Sequence, residues 1–481
     1  MTDYPVRPAL FIDGHWLSGE GRATHQVLNP ATGAVLAELP LATISDLDDA
    51  LDAAARGYKL WRPTSVDEKA AVLAGAARLM RERADTIALT ATLEQGKPLA
   101  EARAELAYSA ALVDFYAGEV RRNYGRVLTR PTGQRSLVIH EPVGPSLALC
   151  PWNFPILNPA RKLAPALAAG CSMIIKPPEE APGTSILVLQ CFLDAGLPAP
   201  VASMVFGVPD QVSRHLIASD VIRKISFTGS VPVGKHLMKL AADGAKRTTM
   251  ELGGHGPVIV WDDADFDKAV TMVSAFKWRN AGQVCVSPTR LIVHEAIADR
   301  FAAALAERAK ALNVGSGLDA ATQMGPLANP RRPVAMESLI GDAVAQGARL
   351  LAGGERINGP KGTSGNFWAP TILADVPLSA RLMNEEPFGP VALVQRVGSM
   401  EAAIAEANRL PFGLAAYLFT ENARTANLMA DAVESGMVGI NTMAMSAADS
   451  PFGGVKDSGH GSEDGPEGMR AFQVVKAIHQ H

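Results

Sequence analysis

The most reactive side chain in this sequence is that of Cys285, which lies in the segment RNAGQVCVS with no histidine, second cysteine or acid beside it. The small residues at 281, 282 and 284 allow a backbone and a substrate to approach it closely. A thiol with an ordinary pKa near ~8.5 is partly thiolate at neutral pH and suits acyl chemistry. The alternative is packing, because a lone cysteine is more often a small buried hydrophobic residue.

Two further residues have types that assist a nucleophile. Glu251 ends a predicted strand in MELGGHGP, and the glycines after it would leave the carboxylate facing an open cavity, where it could act as a base on water. Asn153 lies in the proline-bounded loop CPWNFP and could donate a hydrogen bond to a developing oxyanion. The alternatives are a solvated or paired charge for the glutamate and a turn-stabilising role for the asparagine.

Two segments have the pattern of a dinucleotide site, although no GxGxxG occurs in the chain. In FTGSVPVG a predicted strand ends at Gly229 and Ser230 and a helix opens at Gly234, which would direct backbone N–H groups at a pyrophosphate. In IIKPPEE, Lys176 and Glu179 follow a predicted parallel strand, at the carboxyl edge where ligands bind in such sheets.

These residues require two α/β units to position them. Short β-rich segments alternate with helical ones between about 146 and 252, which predicts a doubly wound parallel sheet, and a second alternating set follows Cys285. Residues 45 to 120 are almost wholly helical in pattern and should cover one face of the first sheet. The predicted hairpin RVLTRPTGQRSLVIHEP and the tail strand AFQVVKAIH belong to neither sheet, so we expect them to pair between subunits.

Length and composition limit the class of protein. With 481 residues, 48% of them hydrophobic and 20% charged, the chain should fold as two or three domains. A formal charge of -4 with mixed signs argues against binding to nucleic acid or to a membrane surface. No segment approaches ~18 consecutive apolar residues, so we expect a cytoplasmic protein. The four cysteines are far apart, which argues against disulfides and against a metal site.

Seven segments occur in order: PWNFP, KPPEEAP, FTGSVPVG, MELGGHGP, RNAGQVC, EEPFGP and PFGGVKDSGHG. Together they resemble the NAD(P)-dependent aldehyde dehydrogenase superfamily along essentially the whole chain. The resemblance implies an α/β fold with two doubly wound domains, one a Rossmann-like coenzyme domain and the other catalytic, plus a small β arm that forms homodimers or homotetramers. The implied boundaries are 1–120 and 142–250 for the coenzyme domain, 251–436 for the catalytic domain, 437–460 for a return segment, and 121–141 and 461–481 for the arm.

The resemblance also implies a role for individual residues. Cys285 is the expected nucleophile, Glu251 the general base, and Asn153 an oxyanion donor beside the Cys285 backbone amide. The positions expected to contact the cofactor are Trp152, Lys176, Glu179, Gly229, Ser230, Gly234, Leu252, Glu386 and Phe388. Because Glu179 would repel a 2′-phosphate, we expect NAD rather than NADP. The expected reaction is oxidation of an aldehyde to an acid through a thiohemiacetal and a thioester, without transfer to coenzyme A.

Within the superfamily, RKLAPALAAGC, WRNAGQVC and MSAADSPFGGVK look most like the succinate-semialdehyde dehydrogenase branch. The resemblance implies that Arg161, Arg279 and Ser446 grip the far carboxylate of the substrate, which suits the planar guanidinium. Either arginine could instead pair with an acid of the protein. Glutarate or 2-oxoglutarate semialdehyde, or a broad range of aldehydes, are alternative substrates. Two departures are Ser287, where some relatives have a second cysteine, and Pro178 beside the expected ribose site.

Overall fold

The computed structural model describes residues 4–359, 362 and 364–481, which form two large sheets, a small third sheet and flanking helices. The strands, in chain order, are β1 (Leu10–Ile12), β2 (His15–Leu17), β3 (Thr24–Leu28), β4 (Val35–Pro40), β5 (Arg126–Leu128), β6 (Arg135–Pro142), β7 (Ser146–Leu149), β8 (Met173–Lys176), β9 (Ala202–Met204), β10 (Lys224–Gly229), β11 (Arg247–Leu252), β12 (Gly256–Val260), β13 (Pro288–His294), β14 (Arg349–Ala352), β15 (Thr371–Ala374), β16 (Val391–Val397), β17 (Phe412–Gly413), β18 (Ala415–Phe419), β19 (Met437–Ile440), β20 (Val455–Lys456), β21 (Gly459–His460) and β22 (Gln473–Gln480).

The helices alternate with these strands over most of the chain. They are α1 (Ile44–Trp61), α2 (Val66–Glu82), α3 (Ala84–Gln95), α4 (Leu99–Glu119), α5 (Leu157–Ala169), α6 (Pro182–Asp194), α7 (Pro209–Ala218), α8 (Val231–Asp243), α9 (Phe266–Trp278), α10 (Glu295–Lys310), α11 (Arg331–Ala345), α12 (Met400–Asn408), α13 (Ala423–Ala432) and α14 (Gly465–Arg470). None of the helices in the described part of the chain has both the length and the apolar character needed to cross a bilayer.

The first sheet has eight strands in the order β2-β1-β9-β8-β7-β10-β11-β21. Its five central strands, from β9 to β11, are parallel, as the alternating pattern predicts. The chain proceeds outward from β7 to β8 and β9, then returns to add β10 and β11 on the other side of β7. Such a reversal opens a crevice at the carboxyl ends of the strands, here between β7 and β10.

The second sheet has seven strands in the order β14-β15-β16-β13-β12-β18-β19, all parallel except the edge strand β14. Glu251 lies near the carboxyl end of β11 in the first sheet, whereas Cys285 precedes the amino end of β13 in the second. The two α/β units expected from the sequence are therefore present, and the fold class is confirmed. The carboxyl edge of one sheet faces the segment that enters the other.

The helical stretch after residue 44 is confirmed, but its expected packing on a single face is wrong. Helices α2 to α4 pack with α5 and α6 against one face of the first sheet, through residues such as Ala148 and Ile175. Most of α1 packs with α7 and α8 against the other face, through Leu147 and Ile225. The non-helical turn between Trp61 and Val66 separates the two groups of helices.

The third sheet has the order β22-β6-β5 and is separate from both large sheets, as expected. All eight residues of β22 pair antiparallel with β6. Gly133, in the hairpin turn, has φ +87°, a conformation that glycine adopts without strain. The role of this sheet between subunits stays a prediction.

Three features differ from, or add to, the sequence-based expectations. Strand β19 belongs to the seven-stranded sheet and β21 to the eight-stranded one, so the chain returns to the first sheet between Ile440 and Gly459. The region expected to be the end of the arm begins with α14, which packs on α5. The hairpins β1–β2 and β3–β4 were not predicted, because their short strands lack a clear alternation of apolar and polar residues.

Candidate active site

A cavity of about 410 Å³ lies where the two sheets meet. It is lined by all six residues that the sequence assigned to catalysis or substrate binding, namely Cys285, Glu251, Asn153, Arg161, Arg279 and Ser446. These residues come from segments almost 300 positions apart in the chain, so their convergence depends on the packing of the two sheets rather than on local sequence.

Cys285 is placed by an unusual backbone. Asn280 and Ala281 have φ near +50° and Gly282 has φ +70°, so three consecutive residues are left-handed. A Cβ at Gly282 would lie 2.1 Å from the carbonyl oxygen of Gly389, which explains the glycine there. Left-handed non-glycine residues are strained and persist where the surroundings hold them. The surrounding contacts therefore hold this segment in a strained conformation.

Two buried amides that the sequence reading missed hold this segment. The Asn280 side chain donates to the carbonyl oxygen of Asn153 at 2.9 Å, and its own oxygen accepts from the Gln95 amide at 2.7 Å. The Gln283 side chain donates to the carbonyl oxygen of Asn280 at 3.0 Å and accepts from the Ala328 N–H at 3.0 Å. Both residues occur in NAGQ, which Val284 separates from the cysteine, but nothing in their types distinguishes them from solvated loop residues.

The thiol of Cys285 is half-buried at the cavity wall. Burial raises its pKa well above the ordinary value, and the nearby carboxyl group of Glu251 raises it further, while the positive charge of Arg161 opposes both effects. Burial and the Glu251 carboxyl group thus both favour the thiol over the thiolate. The expected role of Glu251 as the base beside this sulfur stays a prediction.

Glu251 is buried, and its Oε1 has no hydrogen-bond partner in the described part of the chain. Burial raises the pKa of this carboxyl to about 7, and the negative charge of Glu463 adds to the rise. Contact with the Cys285 thiol and the positive charges of Arg161 and Lys162 act in the opposite direction. A carboxylate whose pKa lies near neutrality and whose oxygen is free has the properties of a general base.

The backbone of Asn153 is bound by a buried ion pair that was not predicted. Lys97 Nζ lies 2.6 Å from Glu105 Oε2 and 2.8 Å from the carbonyl oxygen of Asn153. The other oxygen of Glu105 accepts the N–H groups of Ile156 and Leu157 at 2.8 and 3.0 Å. Since both charges have hydrogen-bond partners, the pair fixes the loop without leaving an uncompensated buried ion.

The side-chain amide of Asn153 donates to the carbonyl oxygen of Gln283 at 3.2 Å and accepts from Asn158 at 3.4 Å. An amide nitrogen carries two hydrogens, and this contact uses one of them. Because Asn153 lines the cavity together with Cys285, the second hydrogen is available for an oxygen bound there. The expected role of Asn153 as an oxyanion donor stays a prediction that this arrangement allows.

The residues expected to hold the adenosine end of a dinucleotide lie at the carboxyl edge of the first sheet. Lys176 ends β8 and lies 2.6 Å from Glu179, whose Oε1 also accepts the Gly207 N–H at 3.1 Å. Ser230 is the N-cap of α8 but makes no side-chain cap hydrogen bond. A Cβ at Gly234 would lie 2.4 Å from Leu252, so α8 packs directly on β11, as it does at a pyrophosphate-binding turn.

The residues expected to hold the nicotinamide end form a second group nearer Cys285. Glu386 Oε1 accepts the Gly254 N–H at 3.3 Å, and a Cβ at Gly253 would lie 2.2 Å from the other oxygen. Burial raises the pKa of Glu386 to about 8. The rings of Trp152 and Phe388 meet edge to face with centroids 5.5 Å apart. Glu179 and Glu386 can accept hydrogen bonds from the two ends of a dinucleotide, and the N-terminus of α8 can bind its pyrophosphate.

The two arginines in the cavity differ in their partners. Arg161 Nε and NH2 donate to the two oxygens of Asp464 at 2.8 and 2.5 Å, and its guanidinium lies 4.4 Å from the centre of the Phe452 ring. Arg279 lies 4.6 Å from the centre of the Phe276 ring and has no hydrogen-bonded or ion-paired partner among the described residues. Asp464 was not predicted, since nothing in GSEDGPEG places it against Arg161.

Ser287, which stands where some relatives carry a second cysteine, accepts a hydrogen bond from the buried Lys277 at 2.9 Å. Burial lowers the pKa of this lysine to about 7, while the negative charge of Glu386 opposes the shift. Ser287 therefore binds a lysine whose charge interacts with Glu386, one of the residues expected to hold the nicotinamide. It cannot form a disulfide with Cys285.

The chain is similar to known proteins over nearly its whole length. The sequence profile described as "Aldehyde dehydrogenase family" matches residues 16–478. The chain is 48% identical over 473 residues to the putative 4-(hydroxymethyl)benzenesulfonate dehydrogenase TsaD2 of Comamonas testosteroni, covering 98% of each chain. It is 40% identical over 471 residues to the succinate-semialdehyde dehydrogenase [NADP(+)] GabD of Escherichia coli K12, covering 98% of this chain and 97% of the relative.

A solved structure of betaine aldehyde dehydrogenase from Staphylococcus aureus in complex with NAD+ superposes with a TM-score of 0.96 at 32% identity, covering 99% of this chain and 95% of that one. Cofactor use by the family therefore includes NAD, while the E. coli relative is named for NADP. The profile match spans nearly the whole chain, and the catalytic residues predicted from the motifs meet in one cavity. The chain belongs to the aldehyde dehydrogenase family and is an oxidoreductase that acts on aldehydes.

Proposed function

We propose that this enzyme uses NAD to oxidise an aldehyde carrying a remote anionic group, a carboxylate or a sulfonate, to the corresponding carboxylic acid. The observation that carries the proposal is Arg279, which lines the same cavity as Cys285 and Glu251 and has no hydrogen-bonded or ion-paired partner among the described residues, although its charge acts on Glu101 in the same wall. An unpaired arginine beside a reactive centre offers an anion two parallel N–H donors.

The chemistry begins with the Cys285 sulfur adding to the aldehyde carbon while Glu251 accepts the thiol proton. The carbonyl oxygen gains negative charge and is stabilised by the Asn153 amide and the Cys285 backbone N–H, each such donor contributing about 3 kcal/mol. Glu386 and Phe388 would hold the nicotinamide, and the bound cofactor would supply the hydride acceptor at this stage. The carbon is then at the oxidation level of a thioester to Cys285.

Glu251 completes the cycle as a base on water. Once Glu251 has released the thiol proton to solvent, a water molecule adds to the thioester carbon while the carboxylate takes one proton from it, and that proton passes to the Cys285 sulfur as the sulfur leaves and the acid forms. Hydrolysis explains why a carboxylate with a raised pKa and a free oxygen lies beside the sulfur. The complete reaction consumes one water and releases the acid, reduced cofactor and a proton.

For the dinucleotide we propose a preference for NAD. Glu179 is an acidic group at the expected ribose site, where it would accept hydrogen bonds from hydroxyls and repel a 2′-phosphate. Comparing kcat/KM for the two cofactors tests this preference. Replacing Glu179 with Gln should lower the ratio of kcat/KM with NAD to kcat/KM with NADP. A higher kcat/KM with NADP in the unchanged enzyme would contradict it.

For the aldehyde, the sequence favours succinate semialdehyde, and the named activity of the E. coli relative supports that choice. A second candidate is an aromatic aldehyde with a sulfonate or carboxylate. It is supported by the rings of Phe154, Phe276 and Phe452 in the cavity wall and by the name of the relative that is 48% identical. Both candidates carry the anion that Arg279 would bind.

A substrate panel tests the proposed function. It should contain succinate semialdehyde, glutarate semialdehyde, 4-formylbenzenesulfonate, 4-carboxybenzaldehyde, neutral benzaldehyde and cationic betaine aldehyde, each followed by NADH absorbance. Replacing Arg279 with Met should raise KM for the anionic aldehydes about tenfold or more, because a hydrogen-bonded charge pair is lost, and leave benzaldehyde within about twofold. Arg279→Lys is the matched control that keeps the charge. Equal KM changes for anionic and neutral aldehydes would refute the proposal.

We further propose that β22, β6 and β5 pair two copies of the chain into a homo-oligomer. β22 is an edge strand with Val475 and Ile478 exposed, and Val127 of β5 is exposed as well. An eight-residue edge with apolar side chains is otherwise an aggregation hazard. Sedimentation of the intact chain and of Val475→Lys tests this, and an intact chain that sediments as a monomer would contradict it. The cytoplasmic location stays a prediction.

A further inference from the structure

Asp464 places a fully buried carboxylate against one of the two cavity arginines. Its two oxygens accept from Nε and NH2 of Arg161, at 2.8 and 2.5 Å, and Oδ2 also accepts the Tyr108 hydroxyl at 2.9 Å. The third nitrogen of the guanidinium, NH1, faces Glu463 at 3.9 Å. The Nε/NH2 edge of Arg161, one of the two edges that can bind a carboxylate in bidentate fashion, is therefore already occupied, and the NH1 side of the other edge faces a second carboxyl group.

The backbone of Asp464 shows that this contact is a costly one for the chain to form. Its φ of +55° with ψ of 177° lies in a region that glycine alone adopts without strain. The next residue, Gly465, also has a positive φ. A glycine at position 464 would adopt the conformation of Asp464 without strain. Within the described residues, the side chain of Asp464 contacts Arg161 and Tyr108 and no other hydrogen-bonding group. The strained residue is therefore tied to Arg161.

The electrostatic consequence concerns an incoming anion. A carboxylate that approaches Arg161 also approaches Asp464, so attraction to one charge is offset by repulsion from the other. The face of Arg161 is further covered by the Phe452 ring at 4.4 Å. Arg279, in contrast, has two rings beside it, Phe276 and Phe154, and no acid within ion-pairing distance among the described residues; its charge acts on the carboxyl group of Glu101 only from farther away.

We propose that Asp464 is a specificity-determining residue that acts through Arg161. By pairing with Arg161, Asp464 leaves Arg279 as the cation that binds the substrate anion. The rest of the cavity is then suited to a flat, apolar substrate body that packs against Phe452 and Phe154. This inference rests on the proposed function, because it assumes an anionic aldehyde. It assigns the enzyme to aldehydes with one anion and an aromatic body in preference to short aliphatic semialdehydes.

The test removes the carboxylate and asks which substrates benefit. Asp464→Asn removes the negative charge and one of the two acceptors of Arg161, whereas Asp464→Gly removes both acceptors and also relieves the backbone strain at this position. KM for succinate semialdehyde should fall about tenfold, the size expected for one new charged hydrogen bond, while KM for neutral benzaldehyde stays within about twofold. Adding Arg161→Met to Asp464→Gly should abolish the gain. A general structural defect would instead alter both aldehydes alike.

The matched control is Asp46→Asn, which breaks another bidentate pair, that of Asp46 with Arg22 at 2.7 and 3.1 Å, away from the cavity. It should leave both KM values unchanged. Unchanged KM for succinate semialdehyde in both folded Asp464 variants, or an equal fall for benzaldehyde, overturns the inference. If Arg279→Met fails to raise KM for anionic aldehydes, the proposed function is refuted; if it does raise KM while the Asp464 variants have no effect, the inference on Asp464 alone is refuted.

Discussion

Two buried glutamates, Glu94 in α3 and Glu251 at the end of β11, differ in how their oxygens are bonded. Burial raises the pKa of each carboxyl to about 7. Glu94 Oε1 accepts from the Tyr4 hydroxyl at 2.5 Å and the Gly183 N–H at 2.7 Å, and Oε2 accepts from the N–H and hydroxyl of Thr184 at 2.9 and 2.5 Å. Glu251 has an oxygen without a partner in the described part of the chain and lines the cavity.

This difference separates a structural carboxylate from a reactive one. The four donors around Glu94 favour its ionised form and fix the first turn of α6, where a negative charge also interacts favourably with the helix dipole. Glu251 experiences the same desolvation with an oxygen left open, so a substrate water can use its proton affinity. Burial is therefore common to both glutamates, and the feature that distinguishes Glu251 as the candidate general base is an oxygen in the cavity without a hydrogen-bond partner among the described residues.

The largest expected difference between the two glutamates is the effect of their replacement on kcat. Replacing Glu251 with Gln removes the base and should lower kcat about a thousandfold, within the range found for general acid-base groups. Glu94→Gln is the matched variant, and its kcat at saturating NAD should stay within about threefold of the unchanged enzyme. Steady-state NADH formation measures both. A similar loss of kcat in the two variants would remove the distinction.

The pH profile provides the next largest effect. Since Glu251 acts as a carboxylate and its pKa is raised to about 7, the active form is lost as the pH falls through 7. kcat/KM should therefore decrease about tenfold per pH unit below that point and level off above it. Glu94→Gln should retain the inflection and Glu251→Gln should lose it. Because Glu386 has a pKa near 8, Glu386→Gln serves as the control that keeps the inflection near 7.

Most of the fold followed from the alternation of apolar strands and helices, and the residues of the cavity followed from the motif resemblance. Neither could identify Asp464, Asn280 or Glu105, because each is an ordinary polar residue whose burial depends on contacts across sheets and helices. The pairing of Arg161 with Asp464 spans 303 positions, which no local pattern encodes. Prediction from sequence thus located the reactive groups but not the residues that neutralise or fix them.

A smaller effect concerns stability. Glu94→Gln places an amide nitrogen where an oxygen accepted two donors, so buried hydrogen bonds are lost and the free energy of unfolding should fall by about 3 kcal/mol. Glu251→Gln replaces a desolvated carboxyl that has an unpaired oxygen, and should leave stability unchanged or slightly raised. Scanning calorimetry of both variants at pH 8 measures the difference. A lower melting temperature for Glu251→Gln than for Glu94→Gln would contradict the structural role assigned to Glu94.

The smallest effect isolates one of the four donors to Glu94. Thr184→Val deletes the hydroxyl that lies 2.5 Å from Oε2 and keeps the backbone N–H at 2.9 Å, so that each oxygen of Glu94 still has a partner. Loss of a single hydrogen bond to a carboxylate should cost about 1 to 2 kcal/mol, less than Glu94→Gln, with no change in kcat or in the pH inflection. Thr184→Ser retains the hydroxyl and should match the unchanged enzyme within error. If Thr184→Val shifted the kinetic inflection, the carboxylate at Glu94 would be coupled to catalysis, and the boundary drawn between the two glutamates would be wrong.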